Sequence, residues 1–263
     1  MAGGLVYTAV GSEAMATAEY YGKAMCELGR EHPEVVALTA DLAGSTKIGV
    51  FGKEFPDRFF DVGIAEQNMF GIAAGMAKAG LVPFVSTMSA FATMRVADQI
   101  HADICYQNVN VKIIGSHAGT SFGQAGSTHH AIVDMGCLLT FPNMTYICPA
   151  DGMETVNAVR AAYETPGPVY IRINRGFDRI LYTDTEYGFQ LGKAHTVHEG
   201  TDITVIACGS CVYQALQAAK SLEQQTALKS EFSICILLSL SMLKQFRRLL
   251  LIHAVSLQLK TTT

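Results

Sequence analysis

Glu66 is the residue whose position most strongly indicates chemistry. It lies in the segment Asp61-Val-Gly-Ile-Ala-Glu-Gln-Asn-Met-Phe-Gly-Ile-Ala-Ala-Gly75, at a predicted strand-to-helix junction among apolar neighbours. Burial there favours the neutral carboxyl form, which can both donate and accept a proton. The alternative is an ordinary acid in the first turn of a helix, stabilised by the helix dipole.

A second candidate is the loop from Ser116 to His130, which combines three histidines with several hydroxyl residues and glycines after a predicted strand. Histidine can donate or accept a hydrogen bond near neutral pH, so this composition is typical of a polar binding loop. A solvated, glycine-rich connector is the alternative. The loop contains neither cysteine nor carboxylate, so a metal site is less favoured.

The predicted elements place these residues along one edge of a sheet. Short apolar runs typical of buried strands occur at 35–38, 82–85, 109–115, 144–148 and 169–173. Predicted helices alternate with them, at 12–30, 66–78, 90–105 and after the cap pair Asp151 and Glu154. This alternation predicts an α/β fold, a mainly parallel sheet with helices on both faces. Ligands of such sheets bind beyond the carboxyl ends of the strands.

Composition excludes several classes of function. The 263 residues are 49% hydrophobic and carry a formal net charge of −4, without a Lys/Arg stripe, so nucleic acid is not an expected partner. No apolar run reaches the roughly 18 residues of a membrane span. Residues 1–10 lack the basic start of a secretory signal, and the seven scattered cysteines fit reduced thiols. We therefore expect a cytoplasmic protein that does not bind a membrane.

The segment around Glu66 resembles the cofactor-activating motif of the transketolase family. The motif is similar in deoxyxylulose-phosphate synthase and in the β subunits of 2-oxo-acid dehydrogenases. The resemblance implies a thiamine-diphosphate-binding pyrimidine-domain fold, in which Glu66 hydrogen-bonds the N1′ nitrogen of the cofactor and so favours its activated form.

Other segments resemble parts of the same family's site. The segment from Ser86 to Arg95 is similar to the one that covers the pyrimidine ring, which implies that Phe91 stacks on the cofactor, although a core aromatic is the alternative. The resemblance assigns the remaining roles as follows: catalytic and substrate contacts to His117 and His129, cofactor contacts to Asp41 and Leu42, and substrate contacts to Ser45 and Arg175. Arg175 as a plain surface charge is the alternative at that position.

Two departures from the family pattern concern the substrate. Gln124-Ala125-Gly126 stands where transketolases of ordinary sugar phosphates usually carry Glu-Asp-Gly. Loss of that carboxylate removes an acceptor for a sugar hydroxyl, so we expect a changed or relaxed donor preference. A phosphate-binding arginine usual near the start of the first helix is replaced around Ala18, so phosphate recognition is expected to be weaker or arranged differently.

The resemblance divides the chain into a pyrimidine-binding domain at 10–175, a polar linker at 176–200 and a partial, altered second α/β domain at 201–263. From about residue 224 the sequence loses the family pattern, and a frameshift is one hypothesis for this tail. The diphosphate-binding Gly-Asp-Gly motif is not found. We therefore expect a separate N-terminal diphosphate-binding subunit, in a heterotetramer, that holds most of the Mg²⁺ ligands; no metal ligand is assigned to this chain.

The expected reaction is transfer of a two-carbon ketol unit from a ketose, free or phosphorylated, to an aldose. Three alternatives stay open. They are a synthase of the deoxyxylulose-phosphate type, a 2-oxo-acid dehydrogenase β-like subunit, and a non-catalytic assembly or remnant subunit. The paired histidines at 117 and 129 weigh against the dehydrogenase. The tail and Ala125 slightly favour the non-catalytic subunit, whereas the intact Glu66, Phe91, His117 and His129 argue against it.

Overall fold

The computed structural model describes residues 16–176, 178–183, 185–200 and 202–225, together with the backbone of 230–234. Its helices are α1 (Thr17–Glu31), α2 (Ala43–Thr46), α3 (Gly49–Glu54), α4 (Glu66–Lys78), α5 (Asp134–Leu138), α6 (Gly152–Glu164) and α7 (Cys211–Gln225). Its strands are β1 (Val35–Thr39), β2 (Phe59–Asp61), β3 (Val82–Met88), β4 (Lys112–Ser116), β5 (Thr145–Ile147), β6 (Val169–Arg172), β7 (His195–His198), β8 (Ile203–Ala207) and β9 (Ser230–Ile234).

Six strands form the main sheet in the order β2-β1-β3-β4-β6-β5, and each neighbouring pair is parallel. Successive residues of a strand face opposite sides of the sheet. In β1, Val35 and Ala37 join a core shared with α1 and α6, whereas Val36 and Leu38 join a core shared with α4. Helices therefore cover both faces, and the predicted fold class is confirmed.

The helix predicted at 90–105 is irregular in the structure. Thr93 Oγ1 donates to the carbonyl of Ser89 at 2.6 Å, and the backbone around it forms turns rather than a helix. A 3₁₀ turn at Met94–Val96 follows, and a π-helical segment spans Gln99–Cys105. These turns matter for the site because they carry the side chains of residues 91 and 95.

The strand predicted at 109–115 begins only at Lys112 in the structure. Asn108 adopts a left-handed backbone conformation with φ 51°, and Val111 N donates to the carbonyl of Val109 at 2.9 Å. This tight turn occupies the first residues of the predicted strand. The shorter strand still ends beside the loop of interest, so the site is unaffected.

A smaller sheet in the order β7-β9-β8 follows the main domain, with β8 and β9 parallel and β7 antiparallel to β9. β7 lies inside the predicted linker at 176–200. That segment also packs apolar side chains on the first core: Leu181, Tyr187, Phe189, Leu191 and Val197. It is therefore more than a polar connector.

The sequence analysis expects the family pattern to end at about residue 224. In the structure α7 ends at Gln225, and β9, at 230–234, pairs with β8. Our predictions for residues 1–15 and 235–263 lie outside the described residues. Among the helices that the structure does describe, none combines the length and apolar character needed to cross a membrane.

Candidate active site

The candidate residues gather at the carboxyl edge of the main sheet. The loops after β1, β3, β4 and β6 carry residues 41–45, Phe91, the loop 116–130 and Arg175, and α4 begins with Glu66 just after β2. Because the strands are parallel, their carboxyl ends share one edge, where ligands of this architecture bind.

Glu66 is buried at the start of α4, with 4% of its surface exposed. Its Oε1 accepts a hydrogen bond from Nη1 of Arg95 at 2.8 Å. The Arg95 guanidinium in turn lies over the ring of Phe91, 3.9 Å from the ring centroid. Gln67, the next residue of α4, donates to the carbonyl of Arg95 at 3.0 Å. One arginine therefore fixes the acid and the aromatic ring relative to each other.

Burial of Glu66 agrees with the sequence analysis, but its cationic partner was not foreseen. Arg95 closes the segment quoted for its likeness to the family, yet no role was assigned to it. Its separation from Glu66 is 29 residues, and neither the spacing nor the residue type indicates a pair. The irregular turn after β3 brings the two together, and that turn was predicted as a helix.

Four rings form a continuous aromatic group from Phe91 to His117. The ring centroids of Phe91 and His129 are 5.3 Å apart, and those of His129 and Phe122 are 5.4 Å apart. Phe122 contacts His117 at 4.8 Å. All three contacts are edge-to-face, an arrangement that aromatic rings favour. Both predicted histidines are thus held against Phe122, which the sequence analysis did not single out.

His117 is the most constrained of these residues. It follows β4 in a left-handed conformation, φ 58°, and its Nδ1 lies 2.9 Å from Ser116 Oγ. Burial lowers the pKa of His117 to about 4, and the nearby charges of Arg175 and His129 contribute to this shift. The imidazole is therefore neutral at pH 7 and can act as a hydrogen-bond donor or acceptor but not as a cation.

A cavity of about 510 Å³ lies beside His117 and brings together three predicted substrate residues. Ser45, His117 and Arg175 all line it, and so do Lys47 and Ser121. The Arg175 guanidinium lies 4.7 Å from the Phe122 ring centroid, and its backbone N donates to Ser121 Oγ at 3.2 Å. Glu66, Phe91 and His129 do not line this cavity.

Asp41 and Leu42 lie in the turn between β1 and α2. Asp41 has φ 58°, and its backbone N donates to Asp61 Oδ1 at 3.0 Å. Leu42 precedes α2, and its N lies 3.4 Å from Thr39 Oγ1. Both residues therefore lie at the carboxyl edge of the sheet, but neither lines the cavity.

Arg172, which flanks the same strand end as Arg175, is engaged elsewhere. Its Nε donates to the buried carboxylate of Asp134 at 2.7 Å. This ion pair connects β6 to α5. Of the two arginines near the end of β6, only Arg175 lines the cavity. In the described part of the chain, no group of three or more His, Cys, Asp or Glu residues is arranged to hold a metal ion.

Comparison with known families places these residues in context. Residues 13–177 match the family model of the transketolase pyrimidine-binding domain, and residues 192–237 match that of the transketolase C-terminal domain. The chain belongs to the transketolase family. The resemblance drawn from the sequence is thereby confirmed, and the second match extends past residue 224, where the sequence analysis expected the family pattern to end.

Similar transketolases include separate C-terminal chains. A putative transketolase C-terminal section of Methanocaldococcus jannaschii is 42% identical over 205 residues, covering 78% of this chain and 65% of that protein. A subunit of the apulose-4-phosphate transketolase of Phocaeicola vulgatus is 40% identical, covering 76% of this chain and 64% of that protein. This chain therefore matches a little under two thirds of the length of each curated relative.

A solved structure described as a split-gene transketolase, inactive β4 tetramer, superimposes with a TM-score of 0.78 at 41% identity. The match covers 86% of this chain and 73% of that one. At 41% identity, this transketolase relative shares the sequence family as well as the fold.

Proposed function

We propose that this chain is the pyrimidine-binding subunit of a split transketolase that transfers a two-carbon ketol unit between sugars. The observation that carries the proposal is the buried Glu66 carboxyl, joined through Arg95 to the Phe91 ring, which in turn contacts the His129 ring. The two relatives quoted above, at 42% and 40% identity, are described as transketolase chains, which favours ketol transfer over the synthase and dehydrogenase alternatives.

The residues present fit the aminopyrimidine half of thiamine diphosphate. A buried acid at a helix start suits a ring nitrogen, and a half-buried aromatic ring 3.9 Å from a guanidinium offers a stacking surface. When bound, thiamine diphosphate supplies the nucleophilic carbon that cleaves and forms carbon–carbon bonds. Glu66 would hold a proton at the pyrimidine nitrogen, and Phe91 would cover the ring, with Asp41 and Leu42 near the cofactor.

Substrate contacts are proposed for the two histidines of the aromatic group and for the cavity beside His117. His117 and His129 would bind the donor near its reacting end and its hydroxyl groups, since imidazole nitrogens can donate or accept hydrogen bonds. Ser45 and Arg175 would hold its distal end in the cavity that they line. Because Ala125 stands in the loop where the family carries an acidic residue, we also propose a changed donor preference, which a panel of ketose donors would reveal.

We further propose that a diphosphate-binding partner subunit completes the enzyme and holds most of the Mg²⁺ ligands. Support comes from the descriptions of the relatives as a C-terminal section, one subunit of a transketolase and an inactive β4 tetramer of a split gene. A heterotetramer in the cytoplasm fits these descriptions and the free thiols of the described cysteines.

The deciding experiment is a coupled ketol-transfer assay with this chain and its partner subunit co-expressed, in the presence of thiamine diphosphate and Mg²⁺. We expect activity only in the mixture, and a loss of about 10²–10⁴-fold in the Glu66→Gln variant because the proton-holding group is gone. Glu164→Gln is the matched control, since Glu164 is an exposed acid at the end of α6. Equal activity in the Glu66 and Glu164 variants would refute the role of Glu66.

An inactive mixture that still assembles would point to the non-catalytic alternative. That outcome would favour a subunit whose function is assembly alone. The same preparation therefore decides between the two classes of function.

A further inference from the structure

The cavity beside His117 contains a cation that the sequence analysis did not assign. Lys47 lines it together with Ser45 and Arg175, and Ala18 contributes to the same wall. Two basic residues thus line one space from different segments of the chain, the C-terminal end of α2 and the loop after β6. The volume, about 510 Å³, lies within the range of about 300–1,000 Å³ typical of small-molecule sites.

The backbone at Lys47 is held firmly, so its side chain starts from a fixed point. Lys47 ends α2 in a left-handed conformation with φ 64°. Its carbonyl oxygen packs against α1 at Gly22, where an added Cβ would lie only 2.5 Å from that oxygen. A glycine at position 22 is therefore what allows α1 to approach this turn.

The charged groups that line the cavity leave an excess of positive charge. The lining contains the cations Lys47 and Arg175, and one acid, Glu19, whose Oε1 lies 3.7 Å from Lys47 Nζ. Burial holds the pKa of His117 at about 4, so this histidine adds no charge at neutral pH. An anion in the cavity would have two cations to face and would share Lys47 with Glu19.

We propose that Lys47, together with Arg175, binds the phosphate group of the donor sugar. Lys47 thereby supplies a second cation to a cavity in which Ala18 supplies no charge. A charge-assisted hydrogen bond from an ammonium group suits a phosphate oxygen, and the Ser45 hydroxyl supplies a neutral donor beside it. Glu19 pairs with the Lys47 side chain and competes with the anion for it. This inference rests on the proposed ketol-transfer function for the identity of the ligand, but the anion site itself can be tested separately.

The binding experiment uses inorganic phosphate and the full chain purified without its partner, so that a diphosphate site elsewhere does not contribute. Phosphate binding is followed by ³¹P NMR titration. We expect Lys47→Gln to weaken binding about tenfold, because one charge-assisted hydrogen bond is lost. Lys47→Arg should retain it, and Glu19→Gln should strengthen it several-fold, since the competing carboxylate is removed. Lys53→Gln on α3 is the matched control, because Lys53 does not line the cavity.

The second arm measures donor specificity in the complex with the partner subunit. For a ketose phosphate, Lys47→Gln should raise KM about tenfold with little change in kcat, while the unphosphorylated ketose should be used equally well by both proteins. Phosphate that fails to bind the unaltered chain, or that binds the Lys47 and Lys53 variants equally, overturns the inference. Phosphate binding that depends on Lys47 in a complex without ketol transfer keeps the anion site and refutes the proposed function instead.

Discussion

At the scale of single residues, Arg95 is the first to test because it contacts both Glu66 and Phe91. We expect Arg95→Met to lower kcat/KM of the assembled enzyme by about 10–100-fold, since a charge-assisted hydrogen bond and a cation–π contact are lost together. Arg95→Lys keeps the charge but not the planar fork, so it should recover part of the activity. Steady-state kinetics at varied thiamine diphosphate would show the loss mainly in the apparent affinity for the cofactor.

A purely structural role of Arg95 would give another pattern. The Met variant would then unfold at lower urea concentration while its kcat/KM stayed at the level of the unaltered protein. Unfolding curves recorded on the same preparations separate the two cases.

His117 gives a prediction about pH. Its pKa is near 4 in the fold and about 6.5 in an unfolded chain, so below pH 6.5 the unfolded state binds more protons. The contribution of His117 to stability is therefore fully present above pH 6.5 and falls as the pH drops towards 4. Between pH 7 and pH 5 the loss is about 2 kcal/mol by linkage. Urea unfolding of the chain and of His117→Gln at both pH values measures it.

The variant is needed because another buried group acts in the opposite direction. Burial raises the pKa of Glu154 to about 7, so that group destabilises the fold as the pH rises from 4.5 to 7. The raw pH profile combines the two effects. If the loss between pH 7 and pH 5 is the same in the variant as in the unaltered chain, His117 is not the titrating group.

At the scale of elements, the cap of α6 joins the main domain to the segment that follows it. The predicted cap is confirmed: Asp151 Oδ1 accepts from Glu154 N at 2.8 Å. Its other oxygen accepts from the backbone N of Leu181 and of Tyr182, at 2.8 and 3.0 Å. One buried carboxylate thus serves a helix start and the connector at 178–183, and the sequence indicated only the first of these roles.

We expect Asp151→Ala to reduce the free energy of unfolding by about 3 kcal/mol or more, because a cap and two further buried N–H partners are lost. Asp151→Asn keeps an oxygen for the cap, so it should cost less. Urea unfolding followed by circular dichroism measures both. Equal losses of unfolding free energy in the two variants would show that the cap oxygen kept by the Asn variant contributes nothing to stability.

Local sequence patterns predicted the regular elements well, and contacts between distant segments explain what they missed. The alternation of apolar runs was enough to predict the parallel sheet, because every residue of β1 and β3 and nearly every residue of β6 is buried. The turn at 91–93 depends on a side-chain bond from Thr93, which competes with helix formation and leaves no periodic signal. Arg95 and Lys47 gain their roles only through contacts with distant segments. Likewise β9 forms by pairing with β7 and β8, which its own composition does not reveal.

At the scale of the whole molecule, α4 runs from the candidate site to a face that carries two exposed glycines. Glu66 begins this helix, and Met69, Phe70 and Ala73 anchor it in the core. On its opposite side Gly71 and Gly75 are exposed, with open space where a side chain would be. Two glycines four residues apart lower helix propensity, by about 1 kcal/mol each. A close approach of a second backbone would offset that cost, as the proposed partner subunit requires.

The prediction is that bulk at this face blocks assembly without harming the chain itself. Gly75→Leu should leave the free energy of unfolding of the isolated chain unchanged or raised by up to about 1 kcal/mol, because leucine is the better helix former. It should weaken association with the partner at least about tenfold, since the added side chain prevents the approach. Gly75→Ala is the matched control, with the same gain in propensity and little bulk. Light scattering after gel filtration measures assembly, and thermal unfolding measures the stability of the isolated chain.

A Leu variant that assembles as well as the Ala variant would show that α4 is not part of the interface. Glu66 would then need another route to the half of the cofactor that the proposed partner would hold.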